Sequence, residues 1–257
     1  MRPGISEKEV TRMGIEIRNQ TDTSAELYLS GDIVDDDTGG LLDEWYENST
    51  GYQWPDKIRQ QLDAMTDKDL TIYINSDGGS VPAGVAMANM IARHKGHTTA
   101  VVDGWCCSIA TQIFFAADTR RIPANAYLMI HKPAVCAGGN ADELRKQADT
   151  LDTIQQGLET TYQNAAKEGV TPEQITAMVD NETWLTGRQA AEYFNVDVLG
   201  AVSAAACAGR TKQFLQHIPD GIRFKDKVNH AAEQAAIENK QRAAIALALS
   251  KGAMIQA

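Results

Sequence analysis

The sequence predicts an α/β fold, with βαβ crossovers around a mostly parallel sheet, on three observations. Strand-like runs alternate with helix-like ones, so consecutive strands need crossovers and come out parallel. The run "CSIATQIFFAAD" is apolar nearly all round, which implies a helix buried on every side. Residues 140–168 read as a long polar helix with a narrow apolar stripe. That stripe suits either a protruding helix that packs on one partner or an ordinary surface helix on its own sheet.

In chain order, "IEIRNQTDTSAELYLSGDIV" alternates apolar and polar residues and carries β-branched ones, as one or two strands do. "VDDDTGGLLDEWYENSTGYQWPDKIRQQLDAM" begins as an acidic, glycine-containing loop and becomes a helix near Pro55, a favourable first-turn residue. "DLTIYINSDGGS" is a strand ending in a glycine turn, and "VPAGVAMANMIARHKG" is a helix stopped at Gly96. The unit repeats as the strand "HTTAVVDGW" and the short helix "CSIATQIFFAAD", after which "TRRIPANAYLMIH" is another strand. Asn140 caps the long helix, with Glu143 three positions on, and the stripe is Leu144, Ala148, Leu151, Ile154, Leu158 and Tyr162. "TPEQITAMVD" is a helix opening at Thr171-Pro172, and "ETWLTGRQAAEYFNVD" a strand edge followed by a helix. From residue 225 to 251 the chain is rich in Ala, Gln and Lys and predicts a separate helix. The expected division is an N-terminal segment (1–24), a main domain (25–209) and a C-terminal helical tail (210–257).

With 257 residues, 43% of them apolar, the chain can bury one sizeable core. A formal charge of −10 lacks the footprint expected for nucleic acid or an anionic membrane. The charged N-terminus has no apolar secretion core. The apolar stretch 98–117 is interrupted by Asp103, Gly104 and Gln112, and reads as a buried strand and helix rather than a span. Cys106 and Cys107 are adjacent, a poor geometry for a disulfide, and no cysteine pair has zinc spacing. The expectation is a cytoplasmic protein with reduced thiols, no metal and no cofactor.

Candidate chemistry centres on "GWCCSIA". Ser108 falls at the first turn of the predicted buried helix, straight after a strand, where backbone N–H groups favour negative charge. The Ile109 N–H would face an oxyanion forming beside it. Of the histidines, His94 and His97 sit in the polar "RHKGH", while His217 and His230 fall in the tail. His131 instead ends an apolar strand, at the carboxyl rim where sites assemble in parallel sheets. Adjacent Gly78 and Gly79 allow close backbone approach and supply N–H donors, but match neither a Walker loop nor G-x-G-x-x-G.

Together, "INSDGGSVPAG", "DGWCCSIATQIFFAAD", "YLMIHKP" and "ETWLTGRQAAEYFNVD" resemble, in order and spacing, the Clp protease proteolytic subunit family, ClpP, over roughly residues 25–200. The resemblance implies a ClpP/crotonase-like βαβ spiral in which the helix near 140–168 is a protruding handle joining two rings. It implies Ser108 as nucleophile, His131 as base, and Gly79 and Ile109 as oxyanion-hole donors. Glu182 takes the place of the family's Asp, with Asp180 as the alternative, both expected on one face of an extended segment. Ser80, Val81, Ala134 and Val135 would line an extended peptide paired as an added strand.

The chain departs from the family at Asp77, where a proline usually stands, and at Cys106 and Cys107, which replace alanines. Burial favours these thiols as supports of the turn rather than attackers. A Ser-Lys dyad using Lys132 is a lesser competitor. The resemblance further implies an ATP-independent serine endopeptidase in hexameric or heptameric rings, possibly stacked, acting on polypeptide. A Clp-type ATPase or a capsid or scaffold protein would be the partner. The "ETWLT" variant and extended tail look like phage or prophage head-maturation proteases. A crotonase-like acyl-CoA enzyme and a non-catalytic assembly protein are the alternatives.

Overall fold

The computed structural model describes residues 17–45 and 51–200. Most of the expected N-terminal segment, the end of the expected main domain from 201 with Cys207, and the whole expected tail with His217 and His230 lie outside the described residues. The first half runs β1 (Ile17–Arg18), β2 (Ser24–Ile33), α1 (Asp36–Trp45), β3 (Tyr52–Gln53), α2 (Pro55–Ala64), β4 (Asp69–Gly79) and α3 (Val81–Ala92). Then come β5 (Thr98–Cys107), α4 (Ala110–Ala116), β6 (Thr119–Pro123), β7 (Tyr127–Ile130) and α5 (Ala141–Ala165). The described part ends with α6 (Pro172–Asp180), β8 (Thr183–Thr186), α7 (Gly187–Tyr193) and β9 (Asp197–Leu199).

The sheet is α/β in the sense expected, with spatial order β1-β2-β4-β5-β6-β9. Pairings β2–β4, β4–β5, β5–β6 and β6–β9 are all parallel, and only β1–β2 and β7–β8 are antiparallel. Alternating residues of β2 and β4, among them Leu27, Leu29, Ile72 and Ile74, point into one core with Ile58 and Leu62 of α2 and Met87 and Ile91 of α3. Helix α4 is buried from Ala110 to Phe115, as its all-round apolar pattern requires. No helix among the described residues is long and apolar enough to cross a membrane.

One irregularity positions everything that follows. Strand β5 forks: Thr99–Val101 pairs with β6, while Trp105–Cys107 pairs with β7. The fork sits at a bulge, where the β4–β5 register shifts between Ile74 and Ser76. The Asn75 side chain fills it by accepting the Trp105 amide at 3.1 Å. Bulges re-aim a strand, and here the redirected end carries Cys106, Cys107 and then Ser108.

The elements depart from expectation in several local places. The segment after Val34, expected as a loop, begins with α1, because Asp35 caps the Thr38 amide at 2.8 Å and acidic residues fill the first turn. The Thr38 hydrogen bonds hold the Asp35 carboxyl below its usual range. The strand expected over "TRRIPANAYLMIH" is two, β6 and β7, separated by a turn in which the Ala126 amide donates to the Pro123 carbonyl at 3.0 Å. Helix α3 ends at Ala92, before Gly96. The helix expected to include Ser108 starts two residues later, at Ala110.

Candidate active site

Ser108 occupies a turn between β5 and α4 with φ +54, a left-handed conformation that non-glycine residues seldom adopt. A strand feeding a short buried helix through such a turn lifts the middle side chain out of the sheet edge, the geometry of a nucleophile elbow. The parallel register pairs Cys107 with Met129, and the Ser108 amide donates to the Met129 carbonyl at 2.9 Å. This ties the turn to the end of β7, whose next residues are Ile130 and His131. The His131 Nε2 then lies 2.7 Å from the Ser108 Oγ, a hydrogen bond between residues 23 apart in sequence. Both residues are half-buried.

In the antiparallel register Tyr127 faces Thr186 and Ile130 faces Thr183, so the ladder ends one residue before His131 on β7 and one residue after Glu182 on β8. Glu182 has φ +48, a reversal that lets the chain leave α6 and enter β8. The expected extended segment around 180–182 is therefore absent: Asp180 is the last residue of α6 and Asn181 its C-cap. Helix geometry sends Asp180 elsewhere, to an ion pair with the Lys132 Nζ at 2.9 Å and a hydrogen bond from Gln155 at 3.3 Å. The Lys132 ammonium and the Asp180 carboxylate each hold the other in its charged form. A lysine so paired is a poor base, which removes the Ser-Lys dyad.

On the other side of Ser108 lies the glycine turn ending β4. Gly78, at φ +101, is so close that a Cβ there would stand 2.7 Å from the Ser108 Cβ and 3.2 Å from the Ile109 nitrogen. Gly79, at φ +142, is pressed against the Ile33 carbonyl. Ile109 is the N-cap of α4, and amides at the start of a helix have no intrahelical acceptor. The site thus presents a hydroxyl, an imidazole and a glycine turn packed against the serine. Among the described residues no group of three or more His, Cys, Asp or Glu could hold a metal ion.

Other expected residues stand differently. Ser80 does not form a strand edge: its amide donates to the Ile33 carbonyl at 2.7 Å, its carbonyl accepts the Gly84 amide at 2.9 Å, and Val81 opens α3. Backbone groups so used cannot pair with an added strand. Ala134 and Val135 are exposed in the stretch after Pro133, which has no regular secondary structure. Cys106 and Cys107 are fully buried, and burial drives both thiols far above the usual range. They are packing residues. His94 and His97 are not simply solvated: the His94 Nε2 lies 2.8 Å from the Lys68 carbonyl and the His97 Nε2 2.9 Å from the Thr119 hydroxyl. His97 immediately precedes β5, at the opposite end of that strand from Ser108. Sequence reasoning missed the Lys132–Asp180 pair and the bulge-filling role of Asn75, although Asn75 stands in the quoted "NSDGG".

The Clp protease family profile matches residues 52–201. The chain is 33% identical over 189 residues to the ATP-dependent Clp protease proteolytic subunit 1 of Streptomyces coelicolor, covering 66% of this chain and 84% of that protein. It is 34% identical over 148 residues to proteolytic subunit 2 of Rhodococcus jostii, covering 57% and 74%. Against proteolytic subunit 3 of Streptomyces coelicolor it is 31% identical over 131 residues, half of this chain and 59% of that protein. The matched region exceeds half of the sequence and contains the elbow, the glycine turn, β7 and β8: this chain belongs to the Clp protease family.

Proposed function

We propose that the chain is a serine endopeptidase with Ser108 as nucleophile, His131 as general base and Glu182 as the acid that orients the imidazole. The observation that carries this reading is the 2.7 Å contact between the His131 Nε2 and the Ser108 Oγ. The serine hydroxyl donates to Nε2, so the neutral ring carries its proton on Nδ1. Serine attacks the scissile carbonyl as Nε2 takes its proton, and the imidazolium later gives that proton to the leaving amine. Glu182, which directly precedes β8 just as His131 directly follows β7, supplies the carboxylate that fixes the tautomer and offsets the imidazolium charge. The amides of Gly79 and Ile109 stabilise the oxyanion. Peptide lies extended along the exposed 134–135 edge, with Gly79 rather than Ser80 or Val81 on its other side.

The enzyme works as a homo-oligomer, with six or seven subunits per ring, and hydrolyses peptide bonds without ATP of its own. A Clp-type ATPase or a capsid or scaffold precursor is its protein partner, in a bacterial or phage-infected cytoplasm. Support for the head-maturation subclass comes from Glu182 in place of aspartate, the acidic insert around 35–60 and the chain beyond 201, where the family match ends.

Incubation with a fluorophosphonate probe should label Ser108, and Ser108→Ala should abolish both labelling and cleavage of fluorescein-labelled casein without lowering the melting temperature. Cleavage that persists in Ser108→Ala would overturn the assignment. A co-expressed phage scaffold or capsid precursor cut by the wild type and not by Ser108→Ala would support the subclass, and an uncut precursor would count against it.

A further inference from the structure

We propose that Thr111 and Tyr162 form a buried hydrogen-bond relay that clamps the Ser108 carbonyl and thereby aims the Ile109 amide at the reacting carbonyl. Both are positioning residues of the oxyanion site, and the inference rests on the serine peptidase reading above. The Ser108 carbonyl accepts twice from Thr111, from its amide at 3.0 Å and from its Oγ1 at 2.6 Å. A threonine hydroxyl has one proton. Having donated it to the carbonyl, the Thr111 oxygen accepts from the Tyr162 hydroxyl, 2.7 Å away.

The consequence follows from peptide geometry. The Ser108 carbonyl and the Ile109 N–H belong to one planar trans unit and point in opposite directions. Holding the carbonyl toward the packing of α4 on α5 turns the N–H the other way, toward Gly78, where a Cβ would stand 3.2 Å from that nitrogen. Ser108 sits at φ +54, so its turn is disfavoured on its own and needs its surroundings to hold it. A rotated 108–109 peptide would present a carbonyl where the oxyanion must form.

Tyr162 is built for this part. It is 2% exposed on the base of α5, and its ring packs edge-on against Phe115 and tilted against Phe194. Burial pushes its phenol up to about 12, so it keeps its proton to donate at neutral pH. Thr111 itself is fully buried. Thr150, Thr153 and Thr160 of α5 also bond carbonyls one turn back, but they do so on an exposed surface and to helical residues. Among the described residues, only at Thr111 does the bonded carbonyl belong to a left-handed residue and the hydroxyl meet a phenol from another helix.

The test compares Thr111→Val, Thr111→Ser and Tyr162→Phe with the wild type, reading casein cleavage, the rate of fluorophosphonate labelling and the melting temperature. Losing one oxyanion donor outright costs about 100- to 1000-fold, so a misaimed one in Thr111→Val should lower kcat and labelling about 10- to 100-fold. KM should stay within about twofold, because ground-state binding is untouched. Thr111→Ser, which keeps the hydroxyl, should recover to within about threefold of wild type, and Tyr162→Phe should fall between them. A crystal structure of Thr111→Val should show the 108–109 peptide rotated. The proposal is overturned if Thr111→Val matches wild type, if Thr111→Ser is as impaired as Thr111→Val, or if the loss lies wholly in KM. Should Thr111→Val fail to fold, Tyr162→Phe, which keeps the ring, decides by the same kcat and labelling criteria. If the wild type neither labels at Ser108 nor cleaves casein, the peptidase reading falls and takes this inference with it. If it does both and the variants match it, the relay alone is wrong.

Discussion

Three non-glycine residues among the described ones have positive φ, and two of them, Ser108 and Glu182, belong to the candidate site. Each costs on the order of 1–3 kcal/mol and persists only where surroundings over-determine it. At Ser108 they do: its amide is held by Met129, its carbonyl by Thr111, and Gly78 packs closely against its Cβ. The reversal at Glu182 lets the chain leave α6 and enter β8, and sets the proposed acid one residue before the Thr183 that faces Ile130. Asp180, two residues earlier, remains on the helix, paired with Lys132. Glu182→Gln should lower kcat by about a thousandfold or more, because the imidazole loses both its tautomer control and its counter-charge. Asp180→Asn breaks only an ion pair whose partners are 54% and 43% exposed, a kind worth about 0–1 kcal/mol, and should leave turnover within a few-fold of wild type. Steady-state cleavage of casein by the two variants checks this, and equal losses would place the acid wrongly.

Helix α4 is seven residues long and buried, so its position is dictated by neighbours rather than by its own propensity. Its tightest neighbour is α3, where a Cβ at Gly84 would come within 2.3 Å of the Ile109 Cγ1. Ile109 is 2% exposed and β-branched, so it has no free rotamer into which to retreat. Gly84→Ala should therefore destabilise by about 1–3 kcal/mol through overpacking, despite alanine's better helix propensity. Gly157 of α5 is exposed with open space around it, and Gly157→Ala should instead stabilise, by up to about 1 kcal/mol. Opposite shifts in melting temperature check the pair. Elements like α4 were legible in sequence because their burial shows as an unbroken apolar run, and α5 because Asn140 and Glu143 form the capping box that their spacing suggested. What escaped was set by contacts distant in sequence. The bulge at Gly104 depends on Asn75, the start of α4 depends on the left-handed turn at Ser108, and Asp180 and Glu182 part company at a helix end. Helix α1 was missed because Gly39 and Gly40 read as loop, whereas Gly39 is needed where the Trp54 ring presses on the helix.

Among the described residues, large apolar side chains left on the surface are few: Leu41, Val85, Val135, Leu144 and Val198. Leu144 lies on α5, and the burial of that helix is uneven. Its C-terminal third, with Leu158, Tyr162 and Ala165, is packed into the core, while Ile154 is only partly covered by it. Towards the N-terminus, Leu144 is 44% exposed and Leu151 half-buried, continuing the same stripe with no core beneath it. The helix of 25 residues is about 38 Å long, and its first ten residues, 141–150, are all exposed. In the ring assembly proposed above, such a stripe would be covered by an identical helix from a second ring, packed along the same seam. Leu144→Asp and Leu151→Asp place carboxylates in that seam without touching the core, whereas a charge at Ile154 would also disturb the fold. The double variant should lose half of its native mass, falling from a stacked pair of rings to single rings, with an unchanged melting temperature at low concentration. Native mass spectrometry reads the change directly, and a mass equal to that of wild type would show that α5 is not what joins the rings.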